Sequence, residues 1–212
     1  MKITDNIFQV DDMVGGPTVI ISGDEVTLVD AGLPGNDEKI LAFIESLGHP
    51  RGALKHILLT HSDGDHIGSL PALAAASGAR VYAQRDEADV IEGKKKSRGG
   101  QVVSSPVTVD QIVKEGDVLP IHGGIRVVES FGHTTGHVSY HLLAEDVLIA
   151  GDCLNNVNGL SGSPPQYTAN LDQAKQTVGK LAELGPDSLC FGHGPAIVGG
   201  AREKLKSVAS LQ

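Results

Sequence analysis

The chain has 212 residues, a formal net charge of −9, 40% hydrophobic content and no Trp. That length suits one large domain or two fused halves, with a core built from Val, Ile, Leu and Ala. The acidic balance excludes general nucleic-acid binding, which needs a basic face. No stretch approaches the length of a membrane span, and two cysteines, Cys153 and Cys190, imply no disulfide framework.

Met1-Lys2-Ile3 runs straight into a strand-like pattern, with no charged leader and apolar core before a small-residue cleavage site. A cytoplasmic location is the expectation. Short apolar runs at 7–10, 18–22, 26–30 and 56–60 read as strands, with Gly23-Asp24 as a hairpin turn. Between the third and fourth, Ile40, Leu41, Ile44 and Leu47 fall at helical spacing behind a capping Asn36, and Gly48 and Pro50 stop the helix. A second helix is expected over 68–77, a strand over 79–83 and a helix over 86–92. Residues 93–106 show no apolar period, and the boundary between halves, about 1–105 and 106–212, falls there. The basic run Lys94-Lys95-Lys96-Ser97-Arg98 inside it reads as a solvated loop, with a clamp for an anionic substrate as the alternative. The second half follows a similar pattern, with strands over 117–121, 125–130, 138–143 and 146–150, a Gly/Ser/Pro loop over 158–165, a helix over 171–184 capped by Asn170, a strand over 188–191 and a helix over 200–211. Strands clustered in each half with helices beside them imply an α/β fold of two packed sheets.

The chemistry concentrates at Thr60-His61-Ser62-Asp63-Gly64-Asp65-His66, where two imidazoles and two carboxylates crowd six positions. Closely spaced carboxylates resist ionising together unless a cation is present, so His61, Asp63, Asp65 and His66 read as metal ligands. Three later segments add Gly132-His133-Thr134-Thr135-Gly136-His137, Ala150-Gly151-Asp152-Cys153 and Phe191-Gly192-His193-Gly194. Each follows an apolar run, so strands set the positions and Gly-rich turns let side chains converge. Cys153 and Cys190 read as small buried hydrophobes, and His137 as structural, holding its turn or bonding an Asp or the backbone.

These motifs, in this order, resemble the metallo-β-lactamase superfamily over most of the chain. The resemblance implies a single domain over 1–212, a four-layer αββα sandwich of two mixed sheets with helices outside. The family pattern H-x-H-x-D-H maps to H-x-D-x-D-H here, with Asp63 where a second His usually stands. By resemblance, His61, Asp63 and His133 hold one metal, Asp65, His66 and His193 hold the other, and Asp152 bridges them. Asp63 as a ligand competes with Asp63 as a partner outside the coordination sphere that leaves one metal site weak. Zinc is the family metal, while a hard oxygen at Asp63 moves the preference toward iron or manganese.

The implied function is metal-dependent hydrolysis of a small ester, thioester or lactone by a metal-bridging hydroxide, with Asp65 fixing one metal and orienting the hydroxide. An iron-dependent oxidoreductase related to flavodiiron proteins and a non-catalytic metal-binding scaffold are the competing readings. The expected partner is a small-molecule substrate, with no nucleic acid or membrane and a possible homodimer. Loops around 13–17, 93–106 and 155–168 are the candidates for specificity, and Tyr167 in the last of them is a candidate for shaping substrate access.

Overall fold

The computed structural model describes residues 1–10 and 18–211; the 13–17 loop singled out above lies outside them. The chain divides into two compact units, 1–113 and 114–212.

The first unit carries a six-stranded mixed sheet in the order β1 (Ile7–Val10), β2 (Thr18–Ile21), β3 (Val26–Val29), β4 (Leu54–Leu58), β5 (Arg80–Gln84), β6 (Gln111–Val113). The first three pair antiparallel as a meander, and β3 through β6 run parallel. Parallel neighbours need crossovers, and helices lie in all three: α1 (Asp37–Ser46) between β3 and β4, α2 (Gly64–Ile67) with α3 (Leu70–Ser77) between β4 and β5, and one more between β5 and β6. α4 (Arg85–Ile91) follows β5 directly. Ile40, Leu41 and Ile44 of α1 are buried with Leu28, Leu54, Ile57 and Leu73 in one aliphatic cluster.

The expected helix over 68–77 is α3, which starts at Leu70; α2 before it was not expected, and a specific packing contact marks the break between the two. A Cβ on Gly68 would lie 2.3 Å from Pro34 Cδ, so only Gly permits that approach. The Ser69 hydroxyl donates to the Leu33 carbonyl (2.6 Å) and accepts from Asn36 N–H (2.9 Å). Asn36 does occupy the N-cap of α1, but its side chain makes no capping bond. The strand β6 was not expected. It is three residues long and, among the described residues, pairs with β5.

The second unit carries a five-stranded mixed sheet in the order β13 (Ser188–Cys190), β10 (Val147–Ile149), β9 (Val138–Leu142), β8 (Ile125–Glu129), β7 (Val118–Leu119). A small hairpin, β11 (Leu154–Asn155) and β12 (Ser161–Gly162), precedes α5 (Leu171–Leu184), and α6 (Ala201–Ala209) ends the unit. The Asn170 side chain accepts from Gln173 N–H at the start of α5, as its sequence position suggested. Gly185, at φ +62°, supplies the left-handed stop. Val178 and Leu181 of α5 are buried with Leu148, Leu189 and Leu205 in a second cluster.

Strand direction decides where the candidate ligands emerge. In the first sheet β3, β4 and β5 are parallel, so Asp30, the His61–His66 segment and the start of α4 leave the same edge. In the second sheet β10 is parallel to β13, and β8 and β10 both run antiparallel to β9. Thus β8, β10 and β13 point one way, and His133, Asp152 and His193 follow their C-terminal ends. Among the described residues no helix is long and apolar enough to cross a membrane.

Candidate metal centre

In the first unit, His61 and His66 are buried, with ring centroids 4.0 Å apart. Two imidazolium ions at that separation would repel strongly, so the arrangement favours neutral rings. Their tautomers follow from Asp30. Its Oδ1 accepts from Thr60 N–H (2.8 Å), and its Oδ2 accepts from the Thr60 hydroxyl (2.7 Å) and from His66 Nδ1–H (2.8 Å). Because the Thr60 hydroxyl has already donated, it accepts from His61 Nδ1–H (3.0 Å). One buried carboxylate therefore places the proton of both rings on Nδ1 and the lone pair of both on Nε2, the usual preparation of a metal-binding histidine. Asp30 sits at φ +61°, a left-handed conformation that Asp tolerates better than most residues.

A second buried carboxylate holds the loop from the other side. Glu87 of α4 accepts at Oε2 from Ser62 N–H (2.9 Å) and from the Ser62 hydroxyl (2.5 Å). The loop between β4 and α2 is thus fixed on both sides of His61. Asp63 occupies the N-cap of α2, yet its side chain makes no capping bond. Its Oδ2 instead stands 3.8 Å from His61 Nε2 and is gripped by Arg98. Asp65, in the first turn of α2, has Oδ2 3.8 Å from His66 Nε2. The basic run is correspondingly less free than expected. Lys94 pairs with Glu92, Lys95 with Asp86 and Asp89, and Arg98 with Asp63.

In the second unit, Asp152 lies in a single 3-10 turn, Gly151–Cys153, directly after β10. Its Oδ2 is 3.6 Å from His133 Nε2 and 3.3 Å from His193 Nε2. His133 Nδ1 is hydrogen-bonded to Ser163 Oγ (2.9 Å), which again turns Nε2 toward the carboxylate. His137 takes the structural part expected of it. Its Nε2 accepts from Asp152 N–H (3.0 Å), which puts its proton on Nδ1, bonded to Ser130 Oγ (2.8 Å). The loop leading to α5 is tied to two of these candidate ligands. Ala169 N–H and Asn170 N–H donate to the His133 and Gly132 carbonyls, and Asn156 N–H donates to the His193 carbonyl. Two glycines make the approach possible, since a Cβ on Gly132 or Gly194 would lie 2.4 Å from backbone atoms of Ala174 or Asn156. Tyr167 closes a short turn in this loop and is 59% exposed.

The four pairings share a length. Nε2 to carboxylate oxygen is 3.8, 3.8, 3.6 and 3.3 Å in turn. Two ligands each about 2.0–2.1 Å from one tetrahedral ion stand about 3.4 Å apart, so small adjustments bring each pair onto a cation. Imidazole with carboxylate suits zinc, iron or manganese. The residues therefore fit divalent metal by donor type, tautomer and spacing. Cys153 and Cys190 are buried, and burial pushes both thiols up to about 12, so neither supplies a thiolate nucleophile at neutral pH.

Asp30, Glu87 and Ser163 were missed by sequence reasoning. Asp30 had a readable signal, a carboxylate ending a fully buried strand ahead of Ala31-Gly32. Glu87 resembled any acid in a helix first turn, and Ser163 any loop serine.

A profile of the metallo-β-lactamase superfamily matches residues 14–193. The chain belongs to that superfamily. It is similar to the uncharacterized protein YobT of Bacillus subtilis, at 32% identity over 80% of this chain and 78% of that protein. It is also similar to a hydroxyacylglutathione hydrolase of Rhizobium meliloti, at 31% identity over 66% of this chain and 48% of that enzyme. Among solved structures, a metallo-β-lactamase family protein of Thermus thermophilus matches with a TM-score of 0.77 at 22% identity, over 99% of this chain and 80% of that one. The expected α/β architecture of two mixed sheets with helices is thereby the metallo-β-lactamase fold. Superfamily relatives are metallo-hydrolases, and this chain is a hydrolase of that superfamily. The fold holds divalent metal, usually zinc.

Proposed function

We propose that the chain hydrolyses a small thioester or ester at a dinuclear metal centre. His61, Asp63 and His133 would hold one ion, Asp65, His66 and His193 the other, and Asp152 both. The observation that carries this reading is the repeated Nε2-to-carboxylate spacing of 3.3–3.8 Å at four histidines, three of them with Nδ1 engaged by a hydrogen-bond partner. The order of these residues along the chain, which is that of the superfamily pattern, supports the division into two ligand sets. Zinc is the ion the family favours, with iron or manganese favoured locally by the oxygen of Asp63.

Divalent metal at such a centre supplies Lewis acidity and an activated water at neutral pH. The residues of the chain do the rest. Asp30 and Thr60 keep the His61 and His66 protons on Nδ1 throughout turnover. Asp65 accepts a hydrogen bond from the attacking water and so aims it at the acyl carbon. Asp152 keeps its carboxylate in place through the bond from its own N–H to His137. Tyr167, on the loop tied to His133 and His193, shapes entry of the substrate.

A thioester is the favoured class because a curated relative at 31% identity is named for hydroxyacylglutathione hydrolysis. The two units read as pseudo-repeated halves of one domain. The wider reading is a cytoplasmic enzyme with a small-molecule substrate, no nucleic-acid or membrane partner, and a homodimeric assembly. Protein charged with zinc or manganese should release thiol from an S-(2-hydroxyacyl)glutathione, and a chelator should abolish the release. Two bound irons with oxygen consumption and no hydrolysis would instead support the iron oxidoreductase.

A further inference from the structure

Asp63 has a cationic partner in Arg98. Arg98 Nη2 bonds Oδ2, the same oxygen that stands 3.8 Å from His61 Nε2. An Asp at an N-cap ordinarily spends its carboxylate on the helix's first N–H groups, and here it does not. Asp63 is 20% and Arg98 34% exposed at the side chain, so the pair sits at the edge of solvent. The loop that carries Arg98 also lies against the motif loop. Ser62 and Gly64, on either side of Asp63, and Ser97, Gln101 and Val102, around Arg98, line one cavity of about 550 Å³.

Resting on the metal centre proposed above, we infer that Arg98 is a positioning residue that sets the affinity of the ion held by His61 and Asp63. A carboxylate has lone pairs enough for a guanidinium and a metal together, so Arg98 need not displace the ion. Its charge nevertheless opposes the ion's. Asp63 and Arg98 together are neutral, and the pair presents an oxygen ligand without adding net negative charge. The ion is held less tightly than by a bare carboxylate. Arg98 also fixes which way Oδ2 faces, because the grip and the approach to His61 use the same oxygen.

The test is a charge-balanced cycle read by zinc affinity rather than turnover. Zinc is titrated against a chromophoric chelator in the parent protein and in Arg98→Met, Arg98→Lys, Asp63→His and the double variant Asp63→His/Arg98→Met. One unit of charge beside a divalent ion is worth about ten-fold in affinity even under water-like screening. Arg98→Met should therefore tighten the weaker zinc by about ten-fold, while Arg98→Lys, which keeps the charge, should stay near the parent. Asp63→His leaves the cation without its counter-charge and should loosen that zinc. The double variant restores the parent's net charge and should return toward the parent value. If Arg98 merely anchors its loop, Arg98→Met lowers the apo melting temperature and leaves the zinc constants unchanged, and the inference is overturned. A parent chain that binds no zinc would overturn the proposed metal centre itself.

Discussion

Replacing Asp30 with Asn changes one atom of a buried side chain and removes the acceptor that sets two histidine tautomers. Asn tolerates the left-handed backbone at φ +61°, so the substitution adds little strain of its own. The amide keeps one oxygen and presents an NH₂ group where Oδ1 or Oδ2 had accepted. If the NH₂ replaces Oδ2, it faces the Thr60 hydroxyl and His66 Nδ1–H. If it replaces Oδ1, it faces Thr60 N–H. Each buried donor left unsatisfied costs about 1–3 kcal/mol. His66 can relieve the first conflict by moving its proton to Nε2, which removes the lone pair that binds metal. Losing such an orienting carboxylate typically lowers metal affinity about 10–100-fold. Chelator competition on the purified variant, beside a thermal melt of the apo protein, reads both effects. Unchanged zinc affinity with a lowered melting temperature would show that Asp30 braces the fold without preparing the ligands, and the tautomer reasoning would fail.

Glu87→Gln should weaken zinc binding in the same assay by a smaller factor, since it loosens Ser62 but leaves the His66 tautomer intact. Gly132→Ala should destabilise the protein by about 3 kcal/mol or more, because φ is +129° and the new Cβ would meet the backbone of Ala174; a denaturant melt close to the parent's would contradict the packing described. The thiols predict an alkaline effect. Their pKa is raised from about 9 to about 12 by burial, so the native state holds protons that the unfolded chain releases. Their stabilisation is complete below about pH 9 and is lost as pH rises toward 12. The melting temperature of Cys153→Ser/Cys190→Ala should accordingly fall less steeply than the parent's across that window.

Local signals and long-range ones were unequally legible. The helix α5 was readable because its cap, Asn170, and its body, Leu171–Leu184, form one continuous stretch. The break at Gly68-Ser69 was not, because its cause is the loop at Leu33-Pro34, more than thirty residues away. The strand β6 hid in three residues whose strand character comes from pairing with β5 rather than from any period of their own. The candidate ligands were legible as a motif. Their supports were not, because Asp30, Glu87 and Ser163 act through hydrogen bonds that only the folded chain forms. Arg98 was visible as a basic residue, while its attachment to Asp63 depended on where an unpatterned loop comes to rest.

Metal stoichiometry tests the central claim most directly. Native mass spectrometry of the chain purified without added metal, paired with elemental analysis, should find two divalent ions per chain, and Asp152→Ala should lose the two-ion state. A parent that carries none after incubation with zinc and manganese, or a variant that still holds both as tightly, would contradict the account.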